Sequence, residues 1–190
     1  QRRERQYRQR QRHPHPDDVE VVGQEGGLPG DLLGEGCALG AQPVHEMVDD
    51  DWRYVIETNL VGYLACAKAS IERMETQGGG HLLFVGSIST EIKAAGESVY
   101  SATKAGVQAF AETLRKEISA EKNIKVSVIQ PGSVHTDMQE CSEEEKRDAV
   151  ARHEMLQAEE IAEAIQFVLT RSAASDVVNL RIEPRVQKTS

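Results

Sequence analysis

Tyr100-Ser101-Ala102-Thr103-Lys104 puts a phenol and an ammonium four positions apart in a stretch whose apolar spacing predicts a helix. Residues i and i+4 share one helix face, so the two groups would stand side by side. A cation beside a phenol favours the phenolate and lowers its pKa. A phenol tuned toward neutral pH can pass a proton to or from a substrate oxygen. Alone, the five residues also fit a surface aromatic and a solvated lysine, because short motifs recur by chance. Ser87 shifts that balance. It lies thirteen residues upstream, at the end of a predicted strand, His81 to Ser87 (HLLFVGS). Ligands in open α/β sheets bind at the carboxyl ends of strands. A hydroxyl there could hold the substrate oxygen while Tyr100 moves the proton. Ser89 is the competing hydroxyl, further into the loop.

Two more features belong with these. Asn59, in Thr58-Asn59-Leu60-Val61-Gly62, falls inside a long predicted helix. Asn is unfavourable there, because its side chain competes for backbone partners. It either serves a site or caps a short helix that precedes the main one. Pro131-Gly132-Ser133-Val134-His135-Thr136 follows a second predicted strand, 124–130. A Pro-Gly turn there brings backbone N–H groups to the ligand-bearing end of the sheet.

The elements that must hold these residues are legible from about Val44 onward. Trp52, Val55, Ile56, Leu60, Tyr63, Leu64, Ala67 and Ile71 recur at helical spacing, which predicts one helix over 51–77. Asp49 to Asp51 suit its first turn, and Gly78-Gly79-Gly80 ends it. A second long, Ala-rich helix covers 99–122, two shorter ones begin near Ser142 and Gln157, and a last strand is predicted over 177–183. Alternating helix and strand with short Gly/Pro connections imply an α/β fold with a parallel sheet. Three strands are clear, and strand 81–87 lacks an evident neighbour. Upstream, Val19 to Val22 (VEVV) is only a weak trace of periodicity within the irregular segment.

The four features, in this order and spacing, resemble the short-chain dehydrogenase/reductase family in its classical branch. They are the N-x-x-G Asn, the strand-end Ser, the YxxxK pair and the PGxxxT loop. The resemblance runs from about Val44, or from Gly36, to the C-terminus. It implies a partial Rossmann-like, doubly wound parallel sheet, and an oxidoreductase that moves hydride between NAD or NADP and a small alcohol or carbonyl. Tyr100 would be the general acid/base and would also touch the cofactor, and Lys104 would lower its pKa and bind the nicotinamide ribose. Ser87 would polarise the substrate oxygen, and Asn59 would hold a water linking Lys104 to solvent. Pro131, Gly132, Val134 and Thr136 would line the nicotinamide and its phosphate. The resemblance also implies a homo-oligomer, dimer or tetramer, when the full domain is present, with helices 51–77 and 99–122 pairing as a four-helix bundle.

The sequence departs from the family in two ways. The TGxxxGxG turn that seats a pyrophosphate at a helix N-terminus is missing. Where the family has Asn-Asn-Ala-Gly, Leu33-Gly34-Glu35-Gly36 stands, with Gly36 to Gly40 as a possible tail end. The expectation is therefore a chain with only the C-terminal strands and helices, truncated before the cofactor-binding half. The choice between NAD and NADP lies in the absent part. The alternative function is an inactive remnant acting through helix-mediated dimerisation.

Residues 1–43 are expected to be an irregular, disordered tail, and 44–190 the catalytic portion. Residues 1–12 hold six Arg and one Glu, and a Gly-rich stretch follows. A disordered tail, an RNA-binding arm and a shifted reading frame or missed start all fit that composition, and the last fits best. The chain has 190 residues, is 39% hydrophobic, and carries a formal net charge of -9. That sign does not favour nucleic acid or an anionic membrane. No apolar run reaches the length of a membrane span. Cys37, Cys66 and Cys141 form neither a disulfide framework nor a metal cluster, which suggests a reducing, cytoplasmic setting and no metal. Cys66 is expected in the core and Cys141 at the surface. His135 and His153 border the loop that would meet substrate. Met138, Met155 and Leu156 form either an apolar lid or ordinary packing, and Glu143 to Glu145 open a helix.

Overall fold

A computed structural model describes residues 19–22, by their backbone, together with 41–139 and 141–188. Its strands are β1 (Val19–Val22), β2 (Gly80–Val85), β3 (Ile124–Pro131) and β4 (Asn179–Ile182). They form one sheet in the order β1-β2-β3-β4, every neighbouring pair parallel. The neighbour that β2 lacked in the sequence is VEVV, with Val19 opposite His81 and Val22 opposite Phe84. The Arg-rich arm and the glycines at 23–36 lie outside the described residues.

The helices are α1 (Asp49–Ile56), α2 (Gly62–Gln77), α3 (Ser89–Ile92), α4 (Ser98–Lys122), α5 (Glu143–Ala151) and α6 (Ala158–Leu169). Asp49 to Asp51 occupy the first turn of α1, where carboxylates meet the positive end of the helix dipole. Ser142 caps α5 by accepting from the Glu145 N–H, while Glu145 reaches back to the Ser142 N–H. Gly78 ends α2 in the left-handed region. At Gly79, φ is +139°, and a Cβ there would stand 2.4 Å from the Asn123 carbonyl oxygen, so only glycine fits.

Strand β2 is apolar without alternation because helices cover both its faces. Leu82 and Phe84 point to one side, where Tyr63, Ala67 and Met74 of α2 meet Val107, Ala111 and Leu114 of α4. Leu83 points to the other, against Ile129 of β3 and Val168 of α6. Ile161, Ala164, Ile165 and Val168 give α6 one apolar stripe toward the sheet. Helices on both faces of a parallel sheet are the doubly wound, Rossmann-like arrangement that the sequence implied.

The long helix expected over 51–77 is not continuous. Glu57–Val61 is a π-helical segment, and Asn59 lies in it fully buried. A π turn inserts a residue and re-phases everything after it. The buried stripe of α2 becomes Tyr63, Ala67, Ser70 and Met74. That rotation corrects the expectation for Cys66: it is exposed, on the shoulder of the stripe, and Leu64 is exposed too. Cys141 is half-buried.

His81 is buried in β2 and shares a 2.8 Å hydrogen bond with Ser127 Oγ. Burial, and then the charge of Lys125, push its pKa down from 6.5 to about 4. Because the folded value lies below the unfolded one, the unfolded chain binds more protons between them. The stability from neutral His81 is complete above about 6.5 and is lost as pH falls toward about 4. The loss is on the order of 3 kcal/mol. Urea midpoints at pH 7 and pH 4.5 should therefore separate widely in the wild type and less in His81→Gln. An unchanged pH slope in that variant would remove His81 as the cause.

Candidate active site

The carboxyl end of the sheet is where the chemistry-bearing residues gather. Strand β2 ends at Val85, and pairing with β3 continues beyond it. The Gly86 N–H donates to Ile129 O at 2.7 Å, and the Ile88 N–H to Pro131 O at 3.0 Å. The turn carrying Ser87 is thereby held beside the loop that follows β3. Ser87 is 8% exposed. Its Oγ accepts from the Ser89 N–H at 3.1 Å and lies 3.2 Å from Ser89 Oγ. Both serines that the sequence weighed are in one hydrogen-bonded turn.

Tyr100 lies in the first turn of α4, half-buried. Lys104 follows one turn later and is 2% exposed, on the helix face that also buries Thr103, Val107 and Ala111. An ammonium in an apolar stripe must be held by specific partners. Its Nζ donates to Val85 O at 3.3 Å. It lies 5.7 Å from the centre of the Tyr100 ring and 5.3 Å from that of Tyr63. Lysine and tyrosine therefore share one face, as the spacing predicted, and the carbonyl that accepts from the ammonium, Val85 O, precedes Ser87 by two residues.

Asn59 faces inward from the π segment, which packs on α4. A Cβ on Gly106 would come within 3.2 Å of Leu60 Cδ1, so glycine sets that close approach. The position noticed in the sequence as an unsuitable helix residue is thus the middle of a π turn, a feature frequent at functional sites.

The loop at Pro131, Gly132, Val134 and Thr136 is tied from two sides. The Gly132 N–H donates to Ile182 O at 2.8 Å, and the Ser133 N–H to Gln187 Oε1 at 3.2 Å. A parallel bridge joins Val134 to Leu156, with His135 N–H to Leu156 O at 2.8 Å and Leu156 N–H to Ser133 O at 2.9 Å. Bonds of that pattern use the groups flanking Val134, so its own N–H and C=O point away from Leu156. Leu156 is a buried bridge residue and Met138 is 41% exposed, so they do not share one apolar lid. His153 is exposed with φ +59°.

Glu143 joins this loop to α5. It pairs with Lys146 at 2.7 Å and with His135 at 3.0 Å. Lys146 first, and His135 second, hold the Glu143 carboxyl down at about 2. The sequence suggested only a solvated acidic turn. Tyr63 and Gln187 were likewise not singled out for the site. Tyr63 was visible as one apolar helix position, and Gln187 by no signal, because it lies 54 residues from its partner. Replacing Gln187 with Ala should raise amide exchange at 133–136 about fivefold, the worth of one hydrogen bond near 1 kcal/mol. Gln187→Glu keeps the acceptor and should restore protection; equal exchange in all three proteins would dismiss the strap.

Among the described residues no group of three or more His, Cys, Asp or Glu could hold a metal ion, and no helix is long and apolar enough to cross a membrane.

A doubly wound parallel sheet with a buried lysine beside a tyrosine at its carboxyl end defines an α/β protein of the Rossmann-like class. The family model described as short chain dehydrogenase matches residues 26–147, and the chain belongs to that family. The match opens upstream of Val44 and Gly36, where the motifs alone began the resemblance. A human 3-oxoacyl-[acyl-carrier-protein] reductase is 39% identical over 115 residues, covering 60% of this chain and 48% of the relative. The FabG reductase of Salmonella typhimurium is 32% identical over 132 residues, covering 67% and 54%. The chain thus spans about half the length of the curated relatives it matches. Among solved structures, the closed form of serine dehydrogenase complexed with NADP+ superposes with TM-score 0.69 at 28% identity, over 87% of this chain and 64% of that one.

Proposed function

We propose that this chain carries the catalytic part of an NAD(P)-dependent oxidoreductase acting on a small alcohol or carbonyl compound. The observation that carries this reading is the buried Lys104 ammonium beside Tyr100, at the carboxyl end of β2 where Ser87 sits. Ser87 Oγ would donate to the substrate oxygen and fix it against the Tyr100 hydroxyl. In carbonyl reduction Tyr100 gives that oxygen its proton; in alcohol oxidation it takes the proton away. Lys104 favours the phenolate by its charge. Asn59 would hold a water connecting Lys104 to solvent.

The residues present suit a nicotinamide. The outward-facing N–H and C=O of Val134 match the donor and acceptor of a carboxamide, and Lys104 can donate to a ribose hydroxyl. Pro131, Gly132 and Thr136 complete the loop that would hold it. When bound, NAD or NADP supplies or accepts the hydride. A cytoplasmic enzyme is the simplest setting for its free thiols.

The test is fluorescence titration of the purified chain with NADPH and NADH, then turnover with an acetoacetyl thioester and with serine as probes. Saturable binding and turnover support the reading; absence of both overturns it for this chain.

A second reading, an inactive remnant that dimerises through its helices, draws on one observation. Val61 is 53% and Leu64 38% exposed, and Ala102, Ala105 and Ala109 line an exposed face of α4. Small side chains there would let a second copy approach closely, as in a homo-oligomer. Light scattering after size exclusion decides it: a dimer without cofactor binding favours the remnant, and a monomer removes it.

A further inference from the structure

We propose that Tyr63 is a positioning residue that holds the Lys104 ammonium for Tyr100, which deepens the reading above and rests on it for its catalytic consequence. Tyr63 comes from α2, just after the π segment, and is 3% exposed. Its hydroxyl donates to Val85 O at 3.2 Å, the same carbonyl that accepts from Lys104 Nζ at 3.3 Å. The Tyr63 ring lies 26° from parallel to Phe84, with centres 6.3 Å apart, so β2 fixes its plane. The Lys104 ammonium lies within 6 Å of two ring centres, Tyr63 at 5.3 Å and Tyr100 at 5.7 Å. A ring face attracts a cation at such distances, more strongly where water is excluded.

Three supports thus converge on one ammonium: a backbone carbonyl of β2, the phenol on its own helix, and a phenol from a different helix. A lysine side chain has four rotatable carbons and does not hold one position by itself. Tyr63 narrows those positions from a second helix, α2. Its hydroxyl, by sharing Val85 O, also fixes the carbonyl to which the ammonium donates. The groups facing the ammonium include Tyr63 from α2, Tyr100 from α4 and the Val85 carbonyl from β2.

Nuclear magnetic resonance of the Lys104 ε-methylene, assigned with Lys104→Arg, tests the placement without cofactor. In the wild type its protons should lie upfield of free lysine through the ring current, keep that shift in Tyr63→Phe, and lose most of it in Tyr63→Leu. A random-coil shift in the wild type overturns the proposal even should Tyr63→Leu fail to fold. So does an unchanged shift in a folded Tyr63→Leu.

Ultraviolet titration of the tyrosines reads the consequence, with Tyr100 identified by its loss in Tyr100→Phe. Tyr63→Leu should raise the Tyr100 midpoint by about one pH unit and lower kcat near pH 7 about tenfold, with KM little changed. Tyr63→Phe should restore most of both. A Lys104 signal that depends on Tyr63, without any acidic Tyr100 phenol, would uphold the placement and overturn the catalytic reading. An acidic Tyr100 phenol indifferent to Tyr63→Leu would do the reverse.

Discussion

Tyr100→Phe should lower kcat about a thousandfold while leaving the folded structure nearly unchanged and NADPH binding still saturable, within the range that positioned proton transfer contributes. Phenylalanine keeps the ring and loses only the hydroxyl. The ring, half-buried in the first turn of α4, would still sit beside Lys104. What is lost is the one proton that must reach or leave the substrate oxygen. Steady-state rates and cofactor titration on the same preparation separate the two effects. Turnover within tenfold of the wild type would reassign the acid/base role. Ser87→Ala should lower kcat as well, because the substrate oxygen would lose its second donor, and Ser89 lies in the same turn as a test of substitution.

The second large effect falls on stability. Phe84→Ala should destabilise the protein by about 3–5 kcal/mol, the usual cost of emptying a buried aromatic site. Phe84 is fully buried in β2. Tyr63 stacks near it, and Phe110 of α4 meets it edge-on with ring centres 5.8 Å apart. The cavity would therefore open between the sheet and both helices that hold site residues. Small domains have only about 5–15 kcal/mol in total, so the loss is a large part of it. Urea denaturation followed by circular dichroism measures it, and a shift below 1 kcal/mol would show that the two helices are held mainly from elsewhere.

The candidate site was legible where local periodicity dictates geometry. Four residues along one helix put Tyr100 and Lys104 on a single face, and an apolar run ending in Gly86-Ser87 put a hydroxyl at the end of a strand. Asn59 was legible as an anomaly, but not its cause. A π turn leaves no fixed mark in residue types, so a single helix over 51–77 was expected, and Cys66 was assigned to the wrong side of the stripe. Strand β1 is only four residues long, and its pairing with β2 is a contact across about sixty positions that VEVV cannot announce. Gln187 on Ser133 is set by where the C-terminal segment returns to the loop, 54 positions on, and His135 on Glu143 by how that loop turns back onto α5. Tyr63 looked like one more core residue because its ring does serve the core, and only its hydroxyl and its distance to Lys104 reveal more.

A crystal structure of the protein soaked with NADP+ and cyclohexanol would test the central arrangement most directly. The alcohol oxygen should lie within about 3 Å of both Ser87 Oγ and the Tyr100 hydroxyl, with the Lys104 ammonium on the same side of the sheet. An alcohol oxygen bound by neither hydroxyl, or the two hydroxyls directed to opposite faces of the sheet, would contradict it.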